Sequence, residues 1–275
     1  AINFFKRQTF NIELAFELSG DLFKLCIFLC RTIDDREQLK LAELITEIYS
    51  KMKPLRHFFL KVIKTAIIRV IYENDPFTSL KPILISLASI VAGFSIKKSK
   101  KMTKKIEKEK MSLFYDCLLP IHHLPYLAYY STELAMSVAQ FLEKDSSLVL
   151  PLFKELVSHW PHLQTRKQMI FIDEISWFAS YIEDSFIIEA IHLIIPQLMT
   201  SLKSCNALVT GKILAMWEIN DFIWLTECKP EISYPLIVPS IYEVAYSYWL
   251  DDARMYATAV LNVLSINNKE VFLAL

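Results

Sequence analysis

His122 and His123 lie close to Asp116 and Cys117, and imidazole, thiolate and carboxylate are donors that zinc accepts. The spacing argues against a shared ion. Adjacent residues on a helix point about 100° apart, and no second cluster at ligand spacing completes a set. The tract KKSKKMTKKIEKEK, 97–110, holds eight Lys and two Glu, a local charge of +6. Such a run can serve as a nucleic-acid contact, an acidic-membrane contact or a nuclear-import signal. It lacks interleaved aromatics, and one patch does not make a basic groove, so it reads as an exposed loop insertion. The motifs GxSxG, HExxH, Walker A and the kinase set are absent. Ser, His and Asp are scattered, with nothing in the sequence to assemble them. The expectation is no catalytic centre, no cofactor, no metal and no nucleic-acid partner.

Composition narrows the architecture that could hold any site. Only Gly20, Gly93 and Gly211 occur, too few for phosphate-cradling loops or for the left-handed turns of β-rich folds. Five dispersed cysteines without a CxxC argue against a disulfide framework and fit a reducing compartment. The segment AINFFKRQTF lacks a signal-peptide layout. Apolar residues make up 53% of the chain and mean hydropathy is +0.31, high for a protein in water. The longest weakly polar stretch, Pro82 to Ile96, contains Ser86, Ser89 and Ser95 and is too short to span a bilayer. Other apolar runs are interrupted by Glu183, Asp184, Glu189 or His192. The reading is a chain without a membrane span, whose helices are buried on more than one side. Net charge is zero, so the chain outside the basic tract carries −6.

Repetition identifies the elements. VLPLFKEL around Pro151, IIPQLMTSL around Pro196 and YPLIVPSI around Pro235 are proline-containing helices spaced by 45 and 39 residues. Each precedes a polar break and a second helix with apolar residues at i, i+4 and i+7. These are Phe171, Ile175 and Phe178; Val209, Ile213 and Met216; and Tyr256, Val260 and Val263. A period near forty made of helix pairs is the HEAT or armadillo size class, in which each pair exposes an apolar stripe that its neighbour covers. The expected fold is therefore all-α, a HEAT-like helical repeat solenoid wound as an α-α superhelix. It is read as a single domain over 1–275 with the basic loop insertion at 97–110.

Local signals agree. Thr165 with Gln168 reads as a capping box, and Asp34 with Glu37 as a second. Pro54, Pro76, Pro120, Pro161 and Pro230 fall where helices should begin or end. The tryptophans at 160, 177, 217, 224 and 249 read as solenoid core, with Trp160 the candidate exception.

The stretch FLEKDSSLVLPLFKELVSHWP, Phe141 to Pro161, closely resembles a signature of the B-prime family of protein phosphatase 2A regulatory subunits. The segment from Asp34 to Asp75 is similar through its DxRE, IY, LR and IYE residues. SIVAGF, KQMIFIDEI and ILAMWEIND follow in the family's order, and the resemblance runs from about Phe10 to about Phe272. It implies a HEAT-like scaffold without a catalytic centre. Such a subunit docks on the phosphatase scaffold and catalytic subunits and selects substrates through a groove for a short Leu-x-x-Ile-x-Glu motif. It also implies a cytoplasmic location, with the nucleus as a further possibility.

Tyr49, Arg56 and Ile90 match family positions at or near that groove. The resemblance places a His-Arg pair, which receives the motif's acidic end, where this chain has Thr46 and Glu47. It places a second pocket isoleucine where this chain has Ser86, and acidic neighbours where it has Pro82 and Ile85. The expectation is a regulatory and targeting subunit with altered motif specificity. The alternative is a free-standing HEAT adaptor no longer bound to the phosphatase.

Overall fold

A computed structural model describes residues 12–73, 75–93, 109 and 111–275. Apart from Glu109, the basic tract 97–110 lies outside the described residues. No strand occurs among them, and the elements are helices joined by short 3-10 turns. The chain divides into two compact units, Ala1–Lys144 and Asp145–Leu275.

In the first unit, α1 (Ile12–Leu29), α2 (Asp35–Lys51), α3 (Arg56–Tyr72) and α4 (Leu80–Ala92) precede a π-turn, Phe114–Leu118. The π-turn runs into α5 (Leu119–Ile121), and α6 (Ser131–Leu142) follows. α2, α4 and α6 pack side by side as one layer; α1, α3 and the π-turn form the other. α4 has neighbours on two sides and buries Leu80, Ile83, Leu84, Leu87, Ile90 and Val91. That burial accounts for the weakly polar stretch there. Two serines tie this layer. Ser86 Oγ donates to Ala42 O at 3.3 Å, and Ser137 Oγ donates to Leu84 O at 2.9 Å. A short hydroxyl lets backbones approach closely while satisfying its own buried polarity.

In the second unit the proline-containing helices are α7 (Val149–Ser158), α9 (Ile187–Leu202) and α12 (Pro230–Ser247). They pack in series, α7 on α9 and α9 on α12. The second layer is α8 (Thr165–Phe178), α10 (Ala207–Leu214) and α13 (Asp251–Asn267), again in series. The two staggered periods therefore correspond to two packed layers, as a helical repeat requires. Between α10 and α12 sits a short helix, α11 (Asn220–Glu227), and α14 (Lys269–Leu273) closes against α12 and α13. By length and composition Asp184–Leu202 is apolar enough to cross a membrane, but half of it is buried within the protein. Its buried residues include Ile191, Ile194, Ile195 and Leu198, in a helix that packs on both α7 and α12.

Several local expectations are corrected. Thr165 is the first residue of α8, with Gln164 as N-cap, and no capping box forms. Instead the Gln168 amide donates to the carbonyls of Pro161 and His162 at 2.9 and 2.7 Å, pinning the α7–α8 turn. Asp34 does cap α2, accepting from Arg36 N at 2.8 Å, but Glu37 accepts from the Thr32 hydroxyl rather than closing the box. The buried stripe of α13 is Ala253, Ala257, Val260 and Leu264, with Val263 exposed, because small alanines rather than Tyr256 face the core. Trp160 and Trp217 are buried, whereas Trp177, Trp224 and Trp249 are exposed. Pro120 lies inside a helical run. The preceding π-turn, in which Leu119 N donates to Phe114 O, widens the backbone just ahead of a residue that cannot donate.

Candidate peptide groove

The six candidate groove residues lie on α2, α4 and the start of α3. α2 and α4 pack together, so the helix carrying Thr46, Glu47 and Tyr49 lies beside the one carrying Ser86 and Ile90. Thr46 and Ser86 converge on one carbonyl: Thr46 Oγ1 donates to Ala42 O at 2.9 Å, and Ser86 Oγ donates to the same oxygen and to Pro82 O at 2.8 Å. Thr46 and Glu47 are half-buried, whereas Ser86 is fully buried and Ile90 is 2% exposed. Ser86 therefore joins two helices; it is not an open pocket wall.

Arg56 serves α2. Its Nε donates to Tyr49 O and its Nη2 to Ser50 O, both at 3.2 Å, and the guanidinium sits over the Tyr49 ring at 5.1 Å. A cation at the carbonyl end of a helix satisfies the orphan acceptors there and complements the helix dipole. Tyr49 is buried and meets Phe59 at 6.4 Å. Burial pushes its phenol up to about 12; Arg56 opposes the shift and the Glu109 carboxylate adds to it. The Glu109 carboxylate lies 2.5 Å from His57 Nδ1. Glu47 makes no ion pair among the described residues, so the half-buried edge of the site presents its carboxylate beside the Thr46 hydroxyl.

The Tyr49 shift predicts how stability depends on pH. The folded phenol holds its proton above the ordinary value near 10, so its contribution is full below that pH and is lost as pH rises towards about 12. Urea titrations at pH 8 to 11.5 should show a fall above pH 10 that is smaller in Tyr49→Phe. An equal fall in both proteins would assign the effect elsewhere.

Asp116, Cys117 and His122 make separate contacts. Asp116 accepts from Lys64 Nζ at 2.6 Å and from Ser112 Oγ at 2.9 Å, and the Lys64 hydrogen bond holds its carboxyl below the ordinary value. Burial pushes the Cys117 thiol up to about 12, away from the thiolate a metal would bind. The buried His122 ring is engaged through Nδ1 with Leu119 O at 3.0 Å.

Residue chemistry alone did not mark the helix-capping role of Arg56 or the helix-joining role of Ser86. The only sequence signals were a polar residue inside an apolar run and a basic residue one turn after a helix end.

The family described as protein phosphatase 2A regulatory B subunit (B56 family) has a sequence model that matches residues 1–275. The serine/threonine-protein phosphatase 2A 56 kDa regulatory subunit delta 1 isoform of Schizosaccharomyces pombe is 27% identical over 266 residues. That alignment covers 96% of this chain and 46% of the relative. The Caenorhabditis elegans regulatory subunit pptr-1 is 29% identical over 239 residues, 87% of this chain and 43% of its own. The human alpha isoform is 27% identical over 239 residues, 87% and 48% of the respective chains. The chain thus spans less than half the length of these curated relatives. With a helical-repeat fold and a family match along its whole length, this chain belongs to the B56 family of protein phosphatase 2A regulatory B subunits.

Proposed function

We propose that this chain acts as a regulatory and targeting subunit of a serine/threonine protein phosphatase 2A holoenzyme. In that role it binds the scaffold and catalytic subunits together and directs substrate choice. The observation that carries this reading is the family match across all 275 residues. The mechanism is positional: holding a phosphosubstrate near a catalytic site on another chain raises its effective concentration there. Affinity capture of the tagged chain, followed by mass spectrometry, should return both phosphatase subunits at near-equal abundance. Their absence, with other proteins reproducibly present, would favour a free-standing helical-repeat adaptor. The substitutions at Thr46 and Glu47 motivate that second reading.

Substrate choice is proposed to differ from that of the family at large. The half-buried edge of the groove carries the Glu47 carboxylate, Arg56 is committed to α2, and Tyr49 and Ile90 lie in the core. A basic, rather than acidic, motif end suits Glu47.

A further inference from the structure

On the opposite layer of the first unit, a cavity of about 420 Å3 opens between α1, α3 and the start of α4. Its floor is apolar and aromatic, with Ile27, Phe28, Phe58, Val62 and Ile83 among the lining residues. Lys24, Arg31, Lys61 and Arg69 also line it, against a single lining carboxylate among the described residues, Asp75. Asp75 is taken by Arg31 at 2.8 Å. The acids beside the other cations lie outside the cavity lining: Asp21, 3.2 Å from Lys24, and Glu73, 3.6 Å from Arg69, both belong to exposed pairs close in sequence. Lys61 is exposed and has no carboxylate partner among the described residues. The opening therefore combines an apolar floor with Lys61, which lacks a carboxylate partner among the described residues, and with Lys24 and Arg69, which are held only in exposed pairs, in a chain whose net charge is zero.

We propose that this α1–α3 cavity is a docking site for an acidic peptide segment that carries a bulky apolar side chain. Charge complementarity selects the acid, and the floor selects the apolar anchor. Lys61 and Arg69 are separated by eight residues of helix, about 12 Å at 1.5 Å per residue. An extended peptide spans that distance in about four residues, and its residues i, i+2 and i+4 share one face. The pattern Glu-x-Phe-x-Glu therefore sets a carboxylate near each cation and the ring on the floor between them. A nucleic-acid strand fits less well. Among the described residues the cations around the cavity are few and interspersed with Asp21, Glu73 and Asp75, whereas strand binding uses an extended basic face. The site is separate from the α2–α4 groove, and none of that groove's six residues lines it.

The test uses the full chain and a fluorescein-labelled peptide, Ser-Glu-Ala-Phe-Ala-Glu-Ser, followed by anisotropy in low and high salt. Saturable binding is expected that weakens in high salt. It should weaken at least tenfold in the Lys61→Ala, Arg69→Ala double variant, and similarly when the peptide's glutamates become glutamines or its phenylalanine becomes alanine. Both substituted residues are exposed, so the variant's circular dichroism and melting temperature should match those of the parent. Should the variant melt early, the charge-reversing peptide Ser-Lys-Ala-Phe-Ala-Lys-Ser on the unaltered chain decides, since the proposal requires that it not bind. Absence of saturable binding, equal affinity for the glutamate and glutamine peptides, or tighter binding of a labelled oligouridylate with the same variant sensitivity would each overturn the proposal.

Discussion

A labelled peptide carrying the Leu-x-x-Ile-x-Glu motif is expected to show no saturable binding to this chain in the micromolar range. The double change Thr46→His, Glu47→Arg should strengthen binding at least tenfold. The motif's carboxylate needs donors, and among the described residues the Thr46–Glu47 edge offers the Thr46 hydroxyl, already donating to Ala42 O, beside the like charge of Glu47. Gaining a charge-assisted hydrogen bond is worth about 1.5–3 kcal/mol, and about 1.4 kcal/mol is tenfold in affinity. Removing Glu47 adds to this, though exposure to solvent reduces that share. Arg56 does not compensate, because moving it would uncover the Tyr49 and Ser50 carbonyls at the end of α2. Micromolar binding by the unaltered chain, equal to that of the double variant, would show that the motif is read by other residues.

Phe59→Ala is expected to cost about 3–5 kcal/mol of folding free energy, the usual loss for truncating a fully buried aromatic. Its ring is stacked on Phe23 at 4.1 Å and lies 6.4 Å from Tyr49, so one side chain joins α1, α2 and α3. Urea unfolding followed by circular dichroism reads the loss, with Tyr72→Ala as control. Tyr72 is 72% exposed, and its truncation should change stability by less than about 0.5 kcal/mol. A loss below about 1 kcal/mol for Phe59→Ala would mean that the three helices are not held together at this ring.

The fold was legible where the sequence repeats. Proline-containing helices near Pro151, Pro196 and Pro235 alternate with apolar stripes, and the two series occupy the two layers of the second unit. What failed were readings that depend on which neighbour a residue meets. Gln168 reaches loop carbonyls, not its own helix start, and Trp177, Trp224 and Trp249 stay exposed despite lying at helical spacing. α11 was missed because eight residues around Trp224 show no full amphipathic period. At the candidate groove, residue types were readable but roles were not. Ser86 signals lost apolar surface in sequence, whereas its buried hydroxyl joins α4 to Ala42 of α2, a contact that only tertiary pairing creates.

Membership of a regulatory-subunit family makes assembly the property to measure. Purified chain, scaffold subunit and catalytic subunit should be mixed at equal concentration and resolved by size-exclusion chromatography with light scattering. The account predicts one species with the mass of a 1:1:1 complex, this chain contributing 32.0 kDa. A scaffold–catalytic pair that elutes at its own mass, with this chain eluting alone, would contradict it.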